Sequence, residues 1–172
     1  VEGKKRHFIE GYASTKDLDL VDDICTQQCQ ESMLKQIRGK AISMKLDMEH
    51  EAWVEGGSPD IVPVGKVLDA HVDKKGWVIK AELNKHSKQF KSLWGSIRDG
   101  FVDAFSIAYR VVKKSLQKID GKTVRMLEDV TLLNIALTGN PANPEARITK
   151  VMAKSLDFEQ DNKEEVKMAE EE

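Results

Sequence analysis

Residues 96–111, SIRDGFVDAFSIAYRV, join the end of a predicted helix to a predicted strand and place one hydroxyl, Ser106, inside an apolar run. Before this stretch, apolar residues recur at helical spacing from Phe90 to Ile97, with Ser87 as a predicted N-cap and Gly100 as a stop. After Gly100 the apolar residues fall on both faces of an alternating pattern. A strand buried on both sides, deep in a sheet, explains that pattern.

The remaining patterns predict a small domain built mainly from strands. Alternation and turn residues predict strands at 6–14, 41–50, 122–127 and 129–139 and a hairpin at 65–83, whereas helical patterns cover 24–37 and 146–156. We count five to seven strands and two or three helices, mostly linked by tight turns. The expected fold class is mainly β with helices (α+β), an antiparallel-dominated domain on which the helices pack.

Composition limits the classes of protein that this chain can represent. With 172 residues, 40% apolar and 33% charged, it fits one domain and a tail. No apolar run approaches the roughly 18 to 20 residues of a membrane span, so we expect no membrane association. Cys25 and Cys29 lie four apart in a predicted helix, too few ligands for a metal site. We expect them to be reduced thiols, because a disulfide does not comfortably join positions one helical turn apart.

The charge of the chain is unevenly distributed. Residues 156–172 carry eight carboxylates and two lysines, a net charge of −6, which leaves +4 on the rest of the chain. We therefore divide the chain into a domain at 1–155 and an acidic, disordered tail or linker at 156–172. The domain has no basic run interleaved with aromatic residues, so nucleic acid is not an expected partner.

Two residues are candidates for chemistry. His50 ends an alternating strand beside a Gly-rich loop and among carboxylates. His71 lies near a hairpin tip and His86 in a polar turn, and both are expected to be solvated. Ser106 has Ala104 and Ala108 as neighbours on its own face, which leaves space above its hydroxyl. Spacing alone leaves two interpretations open for each residue. His50 can be a surface or core histidine instead of a catalytic one. Ser106 can be a buried serine bonded to a neighbouring strand instead of a nucleophile, and spacing by itself favours the buried serine.

Five motifs stand in an order that resembles the caudovirus (tailed-phage) prohead protease family. They are the opening GYAST at 11–15, HEAW at 50–53, GKVLDA with GWVIKAEL at 65–83, SIRDGFVDAFSIAYRV at 96–111 and LLNIALTGNPANPEARI at 132–148. The resemblance covers about residues 8–150. It implies a fold similar to herpesvirus assemblins, a mostly antiparallel barrel of about seven strands wrapped by helices, with the Ser and His on neighbouring strands.

The same resemblance implies a site. The family's serine falls on Ser106 and its histidine on His50, which would act as nucleophile and general base. The family's acidic third residue falls on Asn134, whose amide oxygen can fix the histidine tautomer but adds no charge. Glu128 and Asp129 remain alternatives for the third member. The backbone amides of Gly139 and Asn140, after the last core strand, are candidates for the oxyanion hole.

The function implied is that of a serine endopeptidase that cleaves scaffold and major capsid protein precursors inside the phage prohead, in the cytoplasm of the bacterial host. No cofactor or metal is expected, and a homo-oligomer is left open. Met168-Ala169-Glu170 has the form that T-even prohead proteases cut, so Glu170 is a candidate self-cleavage site. The main alternative is an inactive capsid-assembly or scaffolding module on the same fold, and a second is an unrelated β-domain that binds a partner.

Overall fold

The computed structural model describes residues 5–39, 44–51 and 62–155. This part of the chain contains eight strands and two helices. In chain order they are β1 (Lys5–Thr15), β2 (Asp23–Cys25), α1 (Gln27–Arg38), β3 (Lys45–Met48), β4 (Gly65–Val72), β5 (Gly76–Leu83), α2 (Phe90–Arg98), β6 (Ala104–Ile119), β7 (Lys122–Thr138) and β8 (Ile148–Ser155). The acidic segment 156–172, and with it Glu170, lies outside the described residues.

All eight strands belong to one mixed sheet with the order β2-β7-β3-β4-β5-β1-β8, and β6 pairs along the other edge of β7. Both short strands on β7 are parallel to it, β2 along residues 125–127 and β3 along 135–137. A single bridge, Ala104 to Arg147, connects β6 to the residue before β8. Because no ladder follows from that bridge among the described residues, the sheet is not a closed barrel, and the predicted barrel is wrong.

The core lies between the sheet and helix α1, with the second helix packed at its side. It includes fully buried Trp77, Phe105, Ile9, Met33 and Ile135. Helix α1 is capped by Thr26, whose Oγ1 accepts from the backbone N–H of Cys29. The mainly β class with two helices is therefore confirmed. Neither helix has the length and apolar character needed to cross a bilayer, within the part of the chain that is described.

Three predicted elements differ from the structure. The expected closing helix at 146–156 is strand β8, because its consecutive residues pair antiparallel with β1, with Met152 opposite Phe8. The two strands expected between 122 and 139 form one continuous strand, β7. Strand β6 is not deep in the sheet: among the described strands it forms a ladder with β7 alone, and beyond Tyr109 its side chains are mostly exposed.

The two cysteines also differ from the expectation. Cys25 ends β2 and Cys29 lies in the first turn of α1, so they flank the strand–helix junction instead of lying one turn apart in a helix. Their Cα atoms are 5.6 Å apart and the structure pairs them as a disulfide. That separation is within the range that disulfides occupy. The expectation of reduced thiols is therefore wrong for this structure.

Candidate active site

The candidate site lies where β6, β7 and β3 run side by side. Ser106 of β6 is in register with Ala136 of β7, and Ala108 with Asn134. On the other edge of β7, Met48 at the end of β3 pairs with Leu137, and His50 follows two residues later. The resemblance implied that the histidine and the serine lie on neighbouring strands. In the structure they do not, because β7 lies between β6 and β3. Ala136 of β7 is in register with Ser106 on one side and with Asp47 of β3 on the other.

The side chains of Ser106, His50 and Asn134 form a hydrogen-bonded chain. His50 Nε2 lies 2.9 Å from Ser106 Oγ. On the other side of the ring, His50 Nδ1 lies 2.5 Å from Asn134 Oδ1. An amide oxygen can only accept, so Nδ1 carries the proton and Nε2 is left with a lone pair toward the serine hydroxyl. This is the tautomer that a histidine needs to accept a proton from a serine.

The backbone that presents His50 has an unusual conformation. Glu49 and His50 have φ of 51° and 58°, both in the left-handed region, and neither is glycine. Such residues cost conformational free energy and persist where surrounding contacts fix them. The Glu49 backbone N–H donates to Leu137 O at 3.1 Å, extending the β3–β7 ladder past the end of β3. The turn therefore directs the His50 ring across β7.

A side-chain link holds the same turn to the end of β7. Thr138 Oγ1 donates to Glu49 Oε2 at 2.8 Å. The backbone N–H of Asn140 donates to Thr138 Oγ1, also at 2.8 Å. Thr138 thus connects the His50 turn to the loop that follows β7. The sequence gives no sign of this link, because Glu49 and Thr138 are 89 positions apart and a threonine at the end of a strand is not distinctive.

The other predicted site residues lie elsewhere or have other partners. Glu128 pairs with Lys113 at 3.5 Å, and Asp129 accepts from Ser32 Oγ at 2.5 Å. Five or six residues along an extended strand correspond to roughly 17 to 20 Å, which separates both carboxylates from Asn134. Of the three candidates for the third member, Asn134 is the one in contact with His50.

Of the two candidates for the oxyanion hole, Gly139 and Asn140, one has a backbone amide that already donates a hydrogen bond. The amide of Asn140 is engaged by Thr138 Oγ1. Gly139 has no positive φ; a Cβ atom there would come within 2.5 Å of Phe101 O, so glycine is required for close approach of the backbone. His71 and His86 are exposed, as predicted.

A pocket of about 310 Å³ opens beside Ser106. Ala108 and Tyr109 of β6 line one side, and Asp17 and Asp19 of the turn after β1 contribute carboxylates. Burial raises the pKa of Asp19, against the opposing effect of hydrogen bonds from the Asp23 and Val21 amides. The lining therefore combines apolar side chains with the carboxylates of Asp17 and Asp19.

The base of this pocket is fixed by a buried carboxylate. Asp23 is 2% exposed and accepts from Arg125 at 2.5 and 2.6 Å through both of its oxygens. Tyr109 Oη donates to Asp23 Oδ2 at 3.0 Å. Burial, together with the Asp23 charge, raises the pKa of Tyr109 well above its usual value, so the phenol remains a donor. Strand β2, which carries Asp23, is thereby connected to β6 and β7.

No group of three or more His, Cys, Asp or Glu side chains is arranged to hold a metal ion among the residues that the structure describes. A serine hydroxyl bonded to an imidazole whose other nitrogen meets an oxygen acceptor is the arrangement typical of serine hydrolases. A family model described as caudovirus prohead serine protease matches residues 1–162. The chain therefore belongs to the caudovirus prohead serine protease family, a family of tailed-phage serine proteases.

Solved structures of herpesvirus proteases resemble the fold. The protease of KSHV, in complex with a hexapeptide phosphonate inhibitor, has a TM-score of 0.42 and 12% identity over 87% of this chain and 65% of its own. The varicella-zoster virus protease has a TM-score of 0.44 and 12% identity over 88% of this chain and 68% of its own. The chain thus spans about two thirds of the length of these proteins. No curated protein sequence matches the chain.

Proposed function

We propose that this chain is a serine endopeptidase in which Ser106 is the nucleophile and His50 the general base. The observation that carries the proposal is the 2.9 Å contact between Ser106 Oγ and His50 Nε2. Ser106 is half-buried at the edge of an open pocket, so a peptide carbonyl can approach its hydroxyl. The family match over residues 1–162 supports the same activity.

In the proposed reaction, Ser106 Oγ attacks the scissile carbonyl while His50 Nε2 accepts the hydroxyl proton. The resulting imidazolium gives that proton to the leaving amine, which releases an acyl-enzyme. Water then attacks the ester, with His50 again as base, and Ser106 is regenerated. General base catalysis of this kind contributes about 10²- to 10⁴-fold in rate.

Asn134 is proposed as the third member, in a positioning role. Its Oδ1 accepts from His50 Nδ1–H and so keeps Nε2 free to accept the serine proton. An amide has no charge to stabilise the imidazolium, so the site operates with orientation alone where a carboxylate would add electrostatic stabilisation.

Stabilisation of the oxyanion is proposed to come from the backbone amides that follow β7. Gly139 and Asn140 are the candidates predicted from sequence, and for Asn140 the role requires its amide to leave Thr138 Oγ1 when substrate binds. Donors of this kind each contribute about 3 to 4 kcal/mol to transition-state stabilisation.

The proposed substrates are the scaffold and major capsid protein precursors of a tailed phage, cut inside the prohead within the host cytoplasm. Self-cleavage after Glu170 is proposed only on the form of Met168-Ala169-Glu170. Asp17 and Asp19 line the pocket beside Ser106, so like charge would oppose a Glu side chain there. Cleavage after Glu170 therefore requires the glutamate side chain to lie outside this pocket.

The experiment is incubation of the purified chain with its scaffold and capsid precursors, read by gel electrophoresis and mass spectrometry. Ser106→Ala and His50→Ala should abolish processing, and the exposed residues Ser115→Ala and His71→Ala serve as matched controls that should retain it. Processing that survives Ser106→Ala contradicts the proposed activity. No processing by the wild type favours the inactive capsid-assembly module instead.

A further inference from the structure

A second pocket, of about 340 Å³, lies away from Ser106 among the ends of β1, β3, β4 and β5. We call it the basic cleft. Its charged lining consists of five basic side chains and one carboxylate, namely Lys5, Arg6, Lys45, Lys66, Lys85 and Glu82. The four lysines of the cleft are exposed residues.

The carboxylate in the cleft is already compensated. Glu82 accepts from Arg6 at 2.6 and 3.1 Å and lies 3.6 Å from Lys66 Nζ. The hydrogen bond from Arg6 lowers the pKa of Glu82, so this group is ionised and paired near neutral pH. Counted by side chain, the lining of the cleft has five cations and one carboxylate.

His7, which also lines the cleft, is affected by that excess. Burial lowers its pKa, and the charges of Lys5, Lys85 and Arg98 lower it further. A histidine that is made harder to protonate by surrounding cations lies in a region of positive potential. Such a region attracts a segment rich in carboxylates.

The chain itself delivers such a segment to the cleft. Strand β8 runs antiparallel to β1, and its last residue, Ser155, pairs with Lys5 at the rim. The residues that follow, 156–172, carry eight carboxylates and two lysines. Charge complementarity and the position at which β8 ends therefore indicate the same occupant.

We propose that the acidic segment 156–172 binds in the basic cleft of its own chain. Tethering makes this binding intramolecular, with the high effective concentration that a short linker provides. Contacts between exposed charges are screened by salt, with a Debye length of about 8 Å at physiological ionic strength and 3 Å at 1 M. The association should therefore be present at low salt and lost at high salt. It does not depend on the role proposed for Ser106.

Zero-length cross-linking of the full chain tests the proposal. A water-soluble carbodiimide joins carboxylates to lysine amines, and peptide mass spectrometry identifies the pairs. The informative carboxylates are the distal ones, Glu170, Glu171 and Glu172. At about 3.3 to 3.6 Å per residue, an extended segment of this length can reach most of the surface, so a preference of its distal end for the cleft reports binding and not mere proximity. Lys113, Lys114 and Lys118 on the exposed part of β6 are the matched control amines.

The expected result is that the distal carboxylates cross-link to Lys5, Lys66 and Lys85 severalfold more often than to the β6 lysines, and that 1 M salt removes this preference. An even distribution between the two sets of lysines overturns the proposal, as does a preference that salt does not change. Mixing isotopically light and heavy copies identifies the chain that supplies the segment. Cleft cross-links that join a light copy to a heavy copy would also overturn the proposal, because the occupant would then be another molecule.

Discussion

His50 Nε2 lies 2.9 Å from Ser106 Oγ although Ser106 is on β6 and His50 follows β3, two strands that do not pair with each other. Strand β7 separates them, and the left-handed turn at Glu49 and His50 brings the ring across it. The site therefore depends on three strands and on one strained turn. Substitutions at single residues measure the contribution of individual contacts.

Variants of Asn134 test whether this residue orients His50 as the third member of the site. Asn134→Ala should lower kcat by about fivefold, since one neutral hydrogen bond is worth about 1 kcal/mol. Asn134→Asp should raise kcat, because a carboxylate stabilises the imidazolium that forms during attack. It should also move the acid limb of the pH–rate profile to higher pH, since the added charge favours the protonated ring. An unchanged profile in Asn134→Asp would show that this residue does not act on His50.

The hydroxyl of Thr138 tests the turn that positions His50. Thr138→Val is nearly isosteric but removes the bond to Glu49 and the acceptor for the Asn140 amide. We expect kcat to fall by about fivefold with little change in KM, because the hydrogen bond to Glu49, worth about 1 kcal/mol, is lost at the turn that orients the base. Thr138→Ser keeps the hydroxyl and should restore kcat. A purely structural role would instead lower the stability of both variants with kcat unchanged in the folded fraction.

Gly139 tests the close approach of the loop after β7. A Cβ at this position meets Phe101 O at 2.5 Å, so Gly139→Ala should displace the loop and lower both kcat and the free energy of unfolding. Gly95 in helix α2 has no atom within 4 Å of an added Cβ, so Gly95→Ala is the control. The control should stabilise the protein by about 1 kcal/mol, the difference in helix propensity. Equal stability of the two variants in urea titrations would rule out the predicted clash.

Glu82 tests the electrostatics of the basic cleft. Its folded-state pKa is lowered from the usual value of 4.5, chiefly by Arg6, so it stabilises the fold above that value. This contribution is lost as pH falls below 4.5 through the lowered pKa. Glu82→Gln should therefore reduce the loss of stability in this acid range, measured by denaturant titration. Glu145→Gln, in the more exposed pair with Lys75, should leave it unchanged. A wild-type pH dependence in Glu82→Gln would contradict the assignment.

The sequence predicted those parts of the structure that depend on local pattern. The hairpin at 65–83 and the helix before Gly100 follow from periodicity and turn residues, and both are present. The prediction of a closing helix at 146–156 was wrong. These residues include good helix formers, but their pairing with β1 is a tertiary interaction that outweighs local propensity. Strand β6 was misplaced for a related reason. Apolar residues on both faces indicate burial, but part of this strand faces a pocket and part of it solvent.

Only those site residues that are marked by residue type and by the order of the motifs could be predicted from the sequence. Ser106 and Asn134 were named from the strand motifs, and the contact of both with His50 depends on a register that no local pattern encodes. The left-handed turn at Glu49 gave no signal, since turns of this kind are usually marked by Gly or Asn. The Thr138 link and the Asp23–Arg125 pair join residues 89 and 102 positions apart, so only the folded chain places them together.

Activation of Ser106 by His50 is tested by labelling the full chain with a fluorophosphonate probe, which phosphonylates an activated serine. We predict covalent modification at Ser106, located by peptide mass spectrometry, that is abolished by Ser106→Ala and by His50→Ala and retained in Ser115→Ala. Labelling of Ser106 that persists in His50→Ala, or labelling at another residue with Ser106 unmodified, would contradict it.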